Sequence, residues 1–305
     1  MTIRCATVLL LFSLAGRAAS VSFSYLGTAG WQITSGKTVI LIDPYLSRVK
    51  YPSPNDDVSP DDPRPLINVN SIVESDTAVI DAHITRADVI FLTHTHPDHS
   101  LDMPYIARKT GARIVGTEST ANIARAYDIP ERQIQVVKGG EELRFDGFTV
   151  RVIRSIHGIF RRPAPGRAPA SPPLVPAGLK APLRFGQHQE GGTLAYLIEI
   201  GGHKIIVFGS MNYIESELVG LRPDIALIGA MPERNNIDDY TPRIMKVLGN
   251  PPVVFPTHWD RFNVTYDVSQ EPAVRRLQSF IDEVKAASPR TRVMVPEYFK
   301  PIVIE

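Results

Sequence analysis

The chain of 305 residues carries 43 % hydrophobic and 21 % charged side chains, proportions of a soluble globular protein with one large domain or two ordinary ones. Its net charge of +1 excludes the global field that draws a protein to nucleic acid or an anionic membrane, and no basic repeat or zinc-finger spacing replaces that field locally. The single cysteine, Cys5, lies in the first twenty residues, so cysteine is excluded as ligand or nucleophile from the remainder.

Residues 1–20 differ in character from the rest of the chain. Arg4 gives a positive start, residues 6–16 (ATVLLLFSLAG) a short apolar core, and Ala18 and Ser20 the small residues that a signal peptidase selects. The segment reads as a secretory signal peptide, with an apolar run too short to span a bilayer. The alternatives are a mis-assigned start codon and a buried N-terminal helix. Cys5 precedes the apolar core and so is not placed as a lipoprotein cysteine. Cleavage leaves a thiol-free mature chain, 21–305, expected to be secreted or periplasmic and without a stable membrane anchor.

Strand-like runs open the mature chain at 21–27 (VSFSYLG), 31–34 (WQIT) and 38–44 (TVILIDP), with a hairpin signal at 35–37. Residues 48–66, rich in Pro and Asp, read as a loop, and a polar helix is expected near 70–84. The apolar run 87–94 (ADVIFLTH) reads as a buried strand, followed by a strand over 112–117 and a helix near 119–127. The runs RQIQVV, EELRF and FTVRVIRSI (148–156) read together as an antiparallel meander. Residues 160–192 form a proline-rich insert in which no regular element is expected. Strands resume at 193–200, 203–209, 223–230 and 251–258, helices are expected near 238–248 and 271–287, and the runs RVMVPE and PIVIE close the chain. Strands in both halves with helices between them predict an α/β fold of two mixed sheets sandwiched by helices.

The stretch 91–100, FLTHTHPDHS, places His94, His96, Asp98 and His99 within six positions at the end of a predicted strand, where α/β proteins commonly build sites. Imidazole and carboxylate are ordinary zinc ligands. Two metals about 3.5–4 Å apart hold a nucleophile and clamp an ester or phosphoryl group. Chance seldom puts four metal-competent residues so close together. Further ligands must come from elsewhere, and His157 and His258 also follow strands. His83 and His203 read as structural or solvent residues, and His188, in the insert, as a candidate for reaching the substrate.

The motif THTHPDH resembles the signature of the metallo-β-lactamase superfamily. YLGTAGWQI, TVILIDPYL, HKIIVFGS and PTHW stand in the order of its ascorbate-6-phosphate lactonase-like (UlaG-like) branch. The resemblance covers about Val21 to Glu305 and implies a four-layer αβ/βα sandwich with the site at one edge. By that resemblance His94, His96 and His157 bind a first zinc, and Asp98, His99 and His258 a second. Asp43 would orient a ligand histidine or serve only in a turn. Manganese and iron accept the same donors. The family places a bridging aspartate where this chain has Ser210, and a histidine where it has Thr28. A neutral hydroxyl is a poor zinc ligand, so two three-ligand sites are expected, the second more weakly occupied. Asn212 is a further candidate neighbour. Trp259 and Asp260 flank His258 and are candidates for lining the pocket, with a core position as the alternative for Trp259.

The expected activity is hydrolysis of an ester, lactone or phosphodiester by metal-bound hydroxide, with Asp98 as the catalytic acid–base group. The alternatives are a β-lactam hydrolase and a metal-binding protein without turnover. The partner is a small-molecule substrate, anionic if the insert's Arg161, Arg162, Arg167, Lys180 and Arg184 face the site; otherwise the insert is a solvated loop.

Overall fold

The computed structural model describes residues 19–52, 61–159 and 173–305. Most of the signal-peptide segment and the arginines at 161, 162 and 167 therefore lie outside the described residues.

Two seven-stranded sheets face each other. The first runs from the edge strand β14 (Pro301–Ile304) through β1 (Val21–Gly27), β2 (Gly30–Ser35), β3 (Thr38–Ile42), β4 (Val89–Phe91) and β5 (Arg113–Gly116) to β6 (Ile134–Val136). The second runs from β13 (Arg292–Val293) through β12 (Val253–Thr257), β11 (Ile225–Gly229), β10 (His203–Phe208), β9 (Leu194–Ile200) and β8 (Phe148–Arg154) to β7 (Glu142–Phe145). In each sheet the hairpin-joined strands pair antiparallel and the strands after a crossover pair parallel. The two halves thus share one pattern, completed in the first sheet by the chain's last strand.

The sequence explains the layers. β1 alternates buried and half-buried residues before running fully buried at Tyr25-Leu26-Gly27, and β11 is buried throughout, as a central parallel strand must be. Between the sheets, Phe23 and Trp31 pack on Phe255 at 5.1 and 5.3 Å, and Phe91 on Tyr196 at 4.9 Å. A second core of Leu41, Ile90 and Ile114 packs on the helices α1 (Thr77–His83), α3 (Met103–Thr110) and α4 (Glu118–Ala126) through Ile80, Ile106 and Ile123. The helices α6 (Tyr240–Val247) and α7 (Glu271–Ala287) cover the other sheet with Ile244, Leu277, Phe280 and Val284. The fold is the four-layer αβ/βα sandwich.

Several boundaries move. Helix α1 begins seven residues later than the start of its predicted range, where the Asp76 carboxylate accepts the Val79 amide at 3.1 Å; Ile72 instead bridges Arg184. β6 joins the first sheet parallel to β5, so the expected three-run meander is split between the sheets. Helix α3 was not expected from the sequence: its signals are a proline in the first turn and the left-handed Gly111 (φ 75°) that ends it. The described part of the insert contains one regular element, a 3-10 turn at Phe185–Gln187. It is nevertheless anchored, with Val175 and Leu183 buried in the second core and the Thr95 amide donating to Glu190 O at 2.9 Å.

Candidate metal centre

The parallel strands end along one edge, and five loops bring the donors there. Asp43 follows β3 directly, His94 follows β4, His157 follows β8, Ser210 follows β10 and His258 follows β12. Pro97 opens the one-turn helix α2 (Pro97–Ser100), which carries Asp98 and His99.

Two groups of donors result. Atoms of His94, His96 and His157 lie within 4.8 Å of one another, and so do atoms of Asp98, His99 and His258. In the first group the three rings stand edge-on, with centroids 4.7 to 4.9 Å apart and planes at 72–87°. His94 and His99, 3.8 Å apart, join the groups. In the second, Asp98 Oδ2 lies 3.3 Å from His258 Nε2 and 3.6 Å from His99 Nε2.

Hydrogen bonds fix which nitrogen points inward. The Thr93 hydroxyl donates to Asp43 Oδ2 (2.5 Å), and Nδ1 of His94 lies 3.2 Å from that hydroxyl oxygen. The hydroxyl proton is spent on Asp43, so His94 donates from Nδ1 and Nε2 carries its lone pair. Nε2 is buried with no partner. His99 Nδ1 donates to the same Asp43 Oδ2 at 2.9 Å, and His157 Nδ1 to Gly158 O at 2.9 Å. Asp43 also accepts the Thr93 amide at 2.7 Å, so it positions a histidine of each group. Gly209 permits this meeting of the two sheets: a Cβ there would collide with Thr93 Oγ1 and the Asp43 carboxylate.

Electrostatics favour lone-pair donors. Burial first, then the neighbouring histidines, hold His94 well below its ordinary value. His96 is lowered by burial to about 4, and His157, by burial and by His96, to about 3. All three are neutral at pH 7. Burial works to raise the Asp98 carboxyl, but His99 and His258 override it and hold Asp98 below the usual carboxylate range. The residues fit metal ions: buried nitrogens of His94 and His258 lack partners, and the neutral imidazoles of His94, His96 and His157 converge in the first group. In the second, burial lowers His99, but the Asp98 and Asp43 charges override it and raise that imidazole above its ordinary value.

The remaining sequence candidates take other places. The Ser210 hydroxyl accepts the Gly158 amide at 2.8 Å, and the Asn212 side chain donates to His157 O at 3.2 Å, so both hold the loop that presents His157. His188 is not in the cavity: it is buried, with Nδ1 2.8 Å from Ser100 Oγ behind α2. Trp259 stacks on Tyr25 at 6.1 Å and borders a separate groove with Gln270 and Glu297. Asp260 accepts from the Thr28 amide (2.9 Å), Arg48 (2.8 Å) and Tyr298 (2.7 Å). Thr28 O in turn accepts the His258 amide at 2.5 Å, and both residues are left-handed, φ 56° and 52°. His83 stacks on Phe299 at 3.5 Å, and His203 opens β10, so neither approaches the centre.

The donors line a cavity of about 350 Å³. Sequence reasoning missed its other walls: Tyr51, Phe185, Met211, Met231 and Phe262. Each lies in a loop whose position across the cavity no local pattern records.

The Asp43 geometry gives an expected result. Asp43→Asn keeps the shape but loses one acceptor, and should weaken metal affinity about 10- to 100-fold. Titration of metal into chelated protein reads this; unchanged affinity would refute the positioning role of Asp43.

A family model described as beta-lactamase superfamily domain matches residues 22–258. A UPF0173 metal-dependent hydrolase of Thermoplasma volcanium is 24 % identical over 228 residues, 74 % of this chain and 85 % of that protein. Among solved structures, the metallo hydrolase Igni18 of Ignicoccus hospitalis superposes with TM-score 0.58 at 17 % identity, covering 94 % of this chain and 99 % of that one. The metallo-β-lactamase fold protein YhfI of Bacillus subtilis gives TM-score 0.55 at 13 % identity, covering 93 % and 99 %.

Proposed function

The chain belongs to the beta-lactamase superfamily, and from that premise we propose that this metal-dependent hydrolase cleaves an ester, lactone or phosphodiester at the paired clusters, with two zinc ions as its cofactor. The observation that carries the reading is the convergence of six His and Asp donors in two groups on one cavity. The order of the motifs from YLGTAGWQI to PTHW supports the lactonase-like branch within the family. The apolar core at 6–16, followed by small residues at 18 and 20, supports export.

His94, His96 and His157 would hold one ion and Asp98, His99 and His258 the other. Bound there, the ions would supply Lewis acidity and lower the pKa of water toward about 7. The chain's own residues do the rest. Asp98, ionised between His99 and His258, would orient the attacking water, accept a proton from it and pass that proton to the leaving group. Asp43 keeps His99 pointed inward, and Ser210 and Asn212 keep His157 in place. Burial and the Asp98 charge raise the Tyr51 phenol, which stays protonated as a neutral donor on the cavity wall. Ser210 is neutral, so each site would rest on three protein ligands, a number that catalytic zinc sites tolerate.

The test is metal analysis together with a panel of lactone, ester, phosphodiester and β-lactam substrates. We expect one to two metal ions per chain and turnover of an ester, lactone or phosphodiester that chelation abolishes and zinc restores. Fewer than one ion in protein purified without chelator, or turnover indifferent to chelation, removes the reading. Turnover confined to β-lactams replaces it.

A further inference from the structure

We propose that the substrate presents a neutral, medium-length alkyl chain to the wall facing the paired clusters, and that this wall selects against an anionic group. The inference rests on the hydrolase reading above and concerns the same cavity.

The wall is built from five loops. Tyr51 lies beyond β3, Met211 beyond β10, Met231 beyond β11 and Phe262 beyond β12, while Phe185 comes from the insert. Loops at strand ends are ordinarily the polar part of a fold, yet each sends an apolar side chain over the donors. Phe185 carries the most weight. It sits on a surface-running strap held by backbone bonds to Ser71 (2.8 Å) and, through Gly186, to Val69 (2.9 Å). It packs against the small cluster of Tyr45, Val73 and Leu101, outside the core between the sheets, and meets Tyr51 at 4.9 Å.

The charge pattern agrees. No lysine or arginine lines the cavity among the described residues. Arg184, next to Phe185, is exposed and donates to Asn70 O at 2.7 Å, and Arg48, near Tyr51, is spent on Asp260. Among the described residues an anionic tail would find no cation on this wall, only the Tyr51 phenol as a donor, and would lose most of its hydration.

The wall's shape favours an alkyl chain over an aromatic ring. Tyr51 meets Phe185 and Phe262 at 54° and 55°, so it forms a parallel pair of faces with neither. Met211 and Met231 supply flexible thioethers, which adapt to a chain with rotatable bonds. A cavity of about 350 Å³ is at the small end of ligand sites, which sets the chain at medium length.

Calorimetric titration of the full-length, as-purified protein with butanamide, octanamide and octanoate tests this directly. Each buried methylene strengthens binding by up to about fourfold, so octanamide is expected to bind roughly 10- to 100-fold tighter than butanamide. Octanoate, whose carboxylate would also coordinate bound metal, is compared with octanamide in chelated protein and should bind no tighter there. Phe185→Ala should remove most of the length dependence and Phe185→Leu should retain it, with thermal unfolding of both variants checked. With turnover established, γ-octalactone should exceed γ-butyrolactone in kcat/KM by a similar factor. Equal affinity for the two amides, or tighter binding of octanoate to chelated protein, overturns the inference. A length preference in binding without hydrolysis of any ester, lactone or phosphodiester overturns the hydrolase reading and leaves the inference standing.

Discussion

His96→Ala is expected to lower kcat/KM on the best substrate by about 10³-fold, the scale of losing a principal charge-stabilising group, while leaving the fold nearly intact. The choice of His96 over His94 is deliberate. His94 lies in a buried hydrogen-bonded chain with Thr93 and Asp43, so truncating it disturbs the sheet ends as well as the site. His96 precedes α2 without capping it, and its ring is half-buried. Its neighbours along that face are the rings of His94 and His157. Deleting it removes one of three donors from the first group and little else. Metal analysis should show loss of up to one ion per chain, and the melting temperature of chelated protein should stay within a few degrees of the parent. A variant that keeps both its metal and its rate would show that the first group is not the reacting centre. A variant that unfolds would show that His96 serves the fold.

The centre was legible in the sequence to the extent that its determinants are local. His94, His96, Asp98 and His99 lie on one strand end and one helical turn, so spacing alone announces them. His157 and His258 could be named because each follows a strand, but their pairing with one partner set came from the family resemblance. What could not be read depends on contacts between distant segments. Ser210 looked like a missing ligand, and its bond to the Gly158 amide spans 52 positions. Trp259 flanks the candidate ligand His258, yet it stacks on Tyr25 and borders a separate groove, next to a His258 held in left-handed backbone. β6 has the same apolar character as β7 and β8, and only the crossover after α4 decides which sheet it joins. Residues 160–172 of the insert lie outside the described residues; over 173–192 the chain has one regular element, and Val175 and Leu183 are buried against the helices of the first sheet.

Asp260→Ala is expected to cost about 3–5 kcal/mol of stability, the scale of breaking a buried ion pair by removing one partner. For a chain of this size that corresponds to a melting temperature lower by roughly 10 °C. The Arg48 guanidinium is buried, 2.8 Å from Asp260, and packs at 4.6 Å from the centre of the Tyr266 ring and 5.2 Å from that of Tyr298. Without the carboxylate it keeps acceptors at Val264 O and Arg261 O but no compensating charge. Arg48→Met combined with Asp260→Leu should recover much of the loss, because neither charge is then stranded. The same change reaches the metal centre. Asp260 holds the Thr28 amide, Thr28 O holds the His258 amide, and both residues occupy left-handed backbone that relaxes once its restraints go. Metal affinity at the group of Asp98, His99 and His258 should therefore fall more than at the group of His94, His96 and His157. The double variant should regain stability without regaining that affinity, since leucine cannot accept the Thr28 amide. If affinity returns together with stability, the network serves the fold alone. If Asp260→Ala melts within 2 °C of the parent, the buried pair contributes little to either.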